Sequence, residues 1–235
     1  MGSKVTVSIA QAYILRMLRR LTLIVTLVMQ MPANAQSPQI LFVAREFWLP
    51  GHEADLTRIE TRAAKVCIGL GVPHPYLGIE SVTGPKEVWY INGLVSNEEL
   101  REVGEAYGKN RELTAAMARF AREREAFESQ PARQGAAVYR ADLSLGVEWE
   151  MGMDQYLVML VAKNAAASKG AVFVNEDGEQ FVVSSAKTLA AAKEKQSVAG
   201  PEAKIFVVRP EFSMPAAEWL ANDPAFWTFK HQKED

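Results

Sequence analysis

Cysteine and histidine are scarce in this chain: among 235 residues there are one cysteine and three histidines. The single cysteine, Cys67, excludes an intrachain disulfide. The histidines, His52, His74 and His231, are far apart in the sequence, which disfavours a zinc site built from cysteine and histidine. We therefore predict no metal and no cofactor, although a haem site with one histidine ligand stays open.

Long apolar runs are also absent. The run Leu21–Met31 has 11 residues, whereas a membrane-spanning helix needs roughly 18–20. Basic residues precede this run, no acidic residue comes before Glu46, and Ala33-Asn34-Ala35 follows it. This is the pattern of a cleaved export signal. We predict a signal peptide over residues 1–35, with Met17 as an alternative start, and a mature protein that is periplasmic or secreted and does not stay in the membrane.

An excess of positive charge is missing as well. Four of the 26 Lys and Arg residues and none of the 28 Asp and Glu residues lie in residues 1–35, so the mature chain carries 22 minus 28, or −6. A nucleic-acid partner requires a basic surface. We therefore predict no nucleic-acid binding.

Motifs of several large enzyme classes do not occur. There is no Gly-x-Ser-x-Gly, and Gly69-Leu70-Gly71 ends a predicted helix instead of opening one as a phosphate-binding loop does. No second histidine follows His52-Glu53 at the spacing of a zinc protease. The sequence therefore contains none of these motifs from which a particular reaction could be predicted.

Periodic apolar patterns do occur, and they predict an α+β fold. Over the first half they indicate, in order, a strand, a helix, two strands of a hairpin, a helical stretch that begins with a capping box and kinks at Gly108–Asn110, and a last strand. The predicted bounds are 40–47, 52–68, 76–82, 86–94, 96–127 and 136–145. The resulting order, β-α-β-β-α-β, is that of ferredoxin-like folds.

Residues 40–145 resemble the dimeric α/β-barrel superfamily, which includes antibiotic-biosynthesis monooxygenases and NIPSNAP-type proteins. The resemblance depends on the element order, the turn Phe47-x-x-Pro50-Gly51 before the first helix, and the aromatic strand Glu87–Ile91. It implies a homodimer whose two sheets form one barrel, and a ligand pocket between helices and sheet.

Residues 153–230 are predicted to form a second, smaller α+β unit after the first domain, residues 38–145. Its patterns indicate strands at 155–162, 171–175, 180–185 and 204–208, a helix at 188–196 and short helices at 215–220 and 224–229. Residues 204–215 faintly resemble residues 39–50. The second unit is therefore either a ferredoxin-like repeat or an extension of the first sheet.

Six residues of the first unit are candidates for ligand binding, and they are aromatic, basic or histidine side chains near strand ends. His52, at the N-terminus of the first predicted helix, is the weak candidate for catalysis, since a histidine can serve as a general base at neutral pH and a helix N-terminus presents backbone N–H groups. The set comprises Arg45, Trp48, His52, His74, Tyr76 and Trp89. A solvated His52 and ordinary aromatic packing in the core are the competing interpretations.

Three functions follow from these patterns. The first is an exported protein that binds a small apolar or aromatic ligand, or acts as an accessory protein, without catalysis. The second is a cofactor-independent monooxygenase-like enzyme for an aromatic or polyketide-like substrate. The third is an envelope protein of stress response or protein interaction.

Overall fold

The computed structural model describes residues 37–145, 149–163 and 167–228. The predicted signal peptide, residues 1–35, and His231 lie outside the described residues. Within the described ranges, no helix is long and apolar enough to cross a membrane.

The described elements are eight strands, six α-helices and a short 3₁₀ turn. The strands are β1 Ile40–Trp48, β2 Leu77–Ser81, β3 Glu87–Leu94, β4 Glu128–Tyr139, β5 Tyr156–Lys163, β6 Ala171–Asn175, β7 Glu179–Ala186 and β8 Lys204–Val208. The helices are α1 Glu53–Gly69, α2 Asn97–Lys109, α3 Arg111–Arg124, α4 Leu189–Ala199, α5 Ala217–Asn222 and α6 Pro224–Trp227, with the 3₁₀ turn at Pro210–Phe212. The protein is thus a mixed α+β chain, as its sequence predicts.

All eight strands form one closed antiparallel barrel, in the order β1-β3-β2-β8-β5-β7-β6-β4. In the first half the strands lie side by side in the order β4-β1-β3-β2. In the second half the order is β8-β5-β7-β6, which is equivalent strand by strand. Two junctions join the halves, β2 with β8 and β4 with β6. The strand equivalent to β1 is therefore β5, so the sequence similarity between residues 39–50 and 204–215 does not follow this structural repeat.

Alternating side chains give the sheet two different faces. The inward residues form a core of mostly aliphatic and aromatic side chains, and the outward residues of the first half face α1, α2 and α3. One part of the inner core comes from outside the strands, because Trp149, Trp219 and Trp227 pack against it. Trp219 covers Gly152, where an added Cβ would come within 2.3 Å of the indole ring.

The last strand of the first half begins earlier than the sequence predicts. A strand was expected over residues 136–145, but β4 runs from Glu128 to Tyr139, and residues 141–143 form a turn. Residues 129–135 are exposed although they pair with β1, so they carry no apolar alternation from which a strand could be predicted. In the turn that follows β4, the Arg140 side chain donates a hydrogen bond to the Asp142 carboxylate at 2.8 Å.

The barrel closes within one chain. In the expected homodimer, the sheets of two chains would join to close one barrel. In this structure, the two halves of a single chain close it. The homodimer stays a prediction, and a second copy would have to meet another surface. One such surface is the edge of β4 over residues 129–135, which among the described strands pairs with β1 alone.

Candidate functional site

A cavity of about 870 Å³ lies between the outer face of the first-half strands and helices α1, α2 and α3. Phe42, Ala44 and Glu46, alternate residues of β1, line one side because the strand turns every second side chain outward. Most other lining side chains are apolar. The cavity therefore has the size and character of a small-molecule pocket, for which about 300–1,000 Å³ is usual.

Helix α2 covers this cavity. It begins at Ser96, whose hydroxyl accepts a hydrogen bond from the Glu99 N–H at 3.1 Å, as the predicted capping box requires. Its apolar stripe, Leu100, Val103 and Tyr107, lines the cavity, yet no residue of the helix is buried. The apolar face of α2 thus covers a space and not a packed core.

The polar end of the cavity is a group of ionisable side chains contributed by five elements. The Arg124 guanidinium of α3 lies 2.8 Å from Glu46 Oε1, 3.6 Å from Glu60 Oε1 and 3.7 Å from Glu128 Oε1. The Tyr90 hydroxyl donates a hydrogen bond to Glu60 Oε2. We call Glu46, Glu60, Tyr90, Arg124 and Glu128 the acidic cluster; all of them except Glu128 line the cavity.

Two acids of this cluster are nearly inaccessible to solvent. Glu46 is 4% and Glu60 1% exposed. Glu60 follows Leu56 by four residues and precedes Ala64 by four, so it lies within the buried stripe of α1.

One oxygen of Glu46 remains without a partner. Among the described residues, no group makes a full hydrogen bond to Glu46 Oε2, although this atom is buried and Glu46 lines the cavity. The Trp48 indole N–H, also buried without a partner, interacts with the Glu46 carboxyl and acts to lower its pKa. A buried polar group without a partner costs free energy of about 1–3 kcal/mol. The wall of the cavity therefore contains a carboxyl group whose hydrogen-bonding capacity is not fully used.

The surroundings change the acidities of the acidic cluster. Burial, together with the nearby negative charge of Glu60, raises the pKa of Glu46 well above its usual value. Burial also raises the pKa of Glu60 and that of Tyr90. Burial opposes the charge of Arg124, but the carboxyl groups of Glu46 and Glu60 outweigh it and raise the pKa of the guanidinium. Arg124 is thus the fixed cation of the cluster, and its acids can hold a proton.

The cavity wall above the acidic cluster carries weakly acidic groups. Burial raises the pKa of Tyr76, and it raises the pKa of Tyr107 to about 12, so both phenols stay neutral. Cys67, half-buried and part of the wall, has a raised pKa through burial and the charge of Glu60. The thiol is therefore a poor nucleophile at neutral pH.

The structure does not bring the six predicted site residues together, and Tyr76 alone among them lines the cavity. Arg45 and Trp89 lie on the inner face of the barrel. There the guanidinium stacks over the indole at 4.4 Å and pairs with Glu87 at 3.4 Å. Trp89 belongs to the inner core and donates its indole N–H to Glu87 at 2.7 Å.

The other three predicted residues lie outside the cavity wall. Trp48 is buried between the sheet and α1 and stacks on Phe127 with ring centroids 6.3 Å apart. His52 is half-exposed, and its Nδ1 lies 3.3 Å from Asp55. His74 is bonded to the Pro75 carbonyl at 2.8 Å.

The cavity lining does not fit a haem with a histidine ligand. No histidine is among the described residues that form its wall. Over the described ranges, His, Cys, Asp and Glu side chains do not gather in any group that could hold a metal ion.

Comparison with known proteins gives structural similarity alone. No family model and no curated protein matches the chain. A provisionally assigned monooxygenase from Fusobacterium nucleatum is 11% identical, with a TM-score of 0.42 over 74% of this chain and 93% of its own. An anthrone oxidase-like protein has 14% identity and a TM-score of 0.43, and the match covers 73% of this chain and 92% of that protein. A provisionally assigned chlorite dismutase has 14% identity to this chain and a TM-score of 0.42, and the match covers 74% of this chain and 96% of that protein.

Proposed function

We propose that this protein binds a small, largely apolar or aromatic ligand in the cavity beneath α2. The supporting observation is the unpartnered Glu46 Oε2, buried at one end of an apolar space of about 870 Å³. Apolar walls with a few placed polar groups are typical of ligand pockets. The wall holds a ligand by burial, and the acidic cluster fixes its orientation.

Two further parts of this proposal concern the chain as a whole. Export through residues 1–35 and assembly as a homodimer are predictions from the sequence and the resemblance. N-terminal sequencing of the protein recovered from its host, and light scattering of the purified protein, are the measurements that decide them.

Protection of Cys67 tests ligand binding at this cavity. The neutral dye N-phenyl-1-naphthylamine fluoresces in apolar surroundings, and Cys67 is the chain's single cysteine and lies in the cavity wall. We expect the dye to bind at one site per chain and to slow alkylation of Cys67 by iodoacetamide. With the dye at about ten times its Kd, alkylation should be about 10-fold slower, because unliganded protein alone reacts.

The result that would overturn the proposed function is dye binding without protection of Cys67, or no dye binding at all. The His52→Ala variant separates this cavity from the predicted His52 site. The cavity account expects unchanged dye affinity in that variant, whereas a ligand held by His52 would be lost.

A second candidate is catalysis of the cofactor-independent monooxygenase kind. The acidic cluster favours it, because a buried carboxylate facing an apolar cavity can accept a proton from an activated C–H group or phenol. Such a reaction converts a substrate CH₂ group and O₂ into a carbonyl and water. Oxygen uptake with an enolisable aromatic ketone such as anthrone distinguishes this candidate from binding alone. Catalysis requires uptake above the rate without protein and its loss in Glu46→Gln.

A further inference from the structure

The charges in the cavity are unbalanced. Three carboxyl groups, Glu46, Glu60 and Glu128, surround the single guanidinium of Arg124. With all three ionised, the acidic cluster carries an excess of negative charge, and two of its acids are almost fully buried. Burial weakens the compensation of this charge by water, so a proton or a positively charged ligand would offset it.

The other cation of the cavity lining does not neutralise this excess. Arg133 lines the cavity, but its guanidinium lies over the ring of Phe47, 5.7 Å from the centroid. Phe47 follows Glu46 in β1, so its side chain lies on the opposite face of the sheet. The charge of Arg133 is therefore directed away from the acidic cluster.

The unpartnered atoms at the polar end of the cavity favour a donor on the ligand. Among the described residues of the wall, Glu46 Oε2, Glu60 Oε1 and Arg124 Nε are buried without a hydrogen-bond partner. The donor among them, Arg124 Nε, is directed to Glu128 Oε1 at 3.7 Å, and the Tyr90 hydroxyl is engaged with Glu60. The remaining two are carboxyl oxygens, and a charged N–H donor to a carboxylate forms the stronger hydrogen bond.

The rings of the wall suit a cation as well. The lining includes five aromatic side chains: Phe42, Tyr76, Tyr90, Tyr107 and Phe120. Burial raises the pKa of Tyr76, Tyr90 and Tyr107, which keeps these rings neutral. The faces of neutral aromatic rings attract ammonium groups.

We propose that the ligand is a lipophilic amine, whose apolar body fills the cavity and whose ammonium group binds the carboxyl group of Glu46. This inference rests on the proposed function and adds the chemical class of the ligand. Before binding, a proton on the cluster offsets part of the negative charge. The ammonium group replaces that proton, so binding releases it to solvent.

Calorimetric titration of the full chain with two matched probes tests this inference. The probes are 2-(2-naphthyl)ethylamine, protonated at pH 7, and 2-(2-naphthyl)ethanol, which is neutral and of nearly the same shape. We expect the amine to bind at least about 10-fold more tightly than the alcohol. Titrations in buffers of different ionisation enthalpy should show proton release with the amine and none with the alcohol.

Glu46→Gln is the decisive variant, because it keeps the shape of the side chain and removes its charge. It should bring the affinity of the amine to within about 3-fold of that of the alcohol for the same variant. Glu179→Gln is the matched control, since Glu179 pairs with Arg45 at 3.6 Å and does not line the cavity. In that control both affinities should stay as in the unaltered chain.

The outcomes separate this inference from the proposed function. Equal affinities of amine and alcohol, or a preference for the amine that persists in Glu46→Gln, overturn the amine inference and leave the cavity as a ligand site. Binding of the dye but of neither probe also overturns the amine inference. If neither probe binds and the dye does not protect Cys67, both the amine inference and the proposed function are wrong.

Discussion

Replacing Arg124 with methionine is expected to lower the free energy of unfolding by about 3–5 kcal/mol at pH 8, the usual cost of leaving a buried ion pair without one partner. Arg124 is the cation that Glu46, Glu60 and Glu128 share. Methionine fills a similar volume but carries no charge, so the carboxyl groups would repel each other in a site that water hardly reaches. Urea unfolding at several pH values measures the effect.

The loss should depend on pH in a defined direction. Burial raises the pKa of folded Glu46 above its reference value of 4.5. A carboxyl group with a raised folded pKa contributes stability that is fully present below its unfolded pKa and is lost as the pH rises through the folded pKa. Removing the guanidinium raises that folded pKa further. The destabilisation by Arg124→Met should therefore be smallest near pH 4 and largest above neutral pH.

Two further variants test the electrostatic cause. Adding Glu46→Gln to Arg124→Met should restore about half or more of the lost free energy of unfolding, because the two residues are coupled. Arg119→Met, on an exposed position of the same helix, should change it by less than about 0.5 kcal/mol. Equal losses in the two arginine variants, or a loss independent of pH, would contradict the charge assignment.

Replacing Ala121 with phenylalanine is expected to weaken binding of N-phenyl-1-naphthylamine at least about 30-fold, which corresponds to about 2 kcal/mol. Ala121 lies on α3 in the cavity wall, one turn before Arg124. A phenyl ring at this position would occupy the space of the ligand. It would enter an existing cavity and not a packed core, so the free energy of unfolding should fall by less than about 1 kcal/mol.

Ala115→Phe provides the matched control on the same helix. Ala115 is exposed and does not belong to the cavity wall. The same substitution there should leave dye affinity unchanged, and circular dichroism of both variants would show intact folding. Dye affinity that survives Ala121→Phe, or that falls equally in both variants, would place the dye elsewhere.

Much of the fold could be predicted from local patterns. The apolar periodicity of α1, the capping box at Ser96 and the turn between β6 and β7 all depend on neighbouring residues, and the structure has them where they were expected. The start of β4 was missed because the exposed residues 129–135 pair with β1 without any apolar pattern. Closure of the barrel depends on pairing between distant strands, which a local pattern does not reveal.

The candidate site was missed for a different reason. Histidines and tryptophans were favoured because their chemistry is distinctive, whereas no carboxylate was among the six candidates. A signal for Glu60 was present, because it shares the four-residue spacing of Leu56 and Ala64 on the buried stripe of α1. Glu46 had no such signal, since its burial depends on α1 and α3 covering an outward position of β1.

The most direct test of the cavity as the ligand site is a crystal structure of the chain with 2-(6-bromo-2-naphthyl)ethylamine, in which anomalous scattering locates the bromine. We predict bromine within the wall formed by α1, α2, α3 and the outer face of β1, and the ammonium nitrogen about 3 Å from a carboxyl oxygen of Glu46. Bromine inside the barrel near Trp89, or beside His52, would contradict the account.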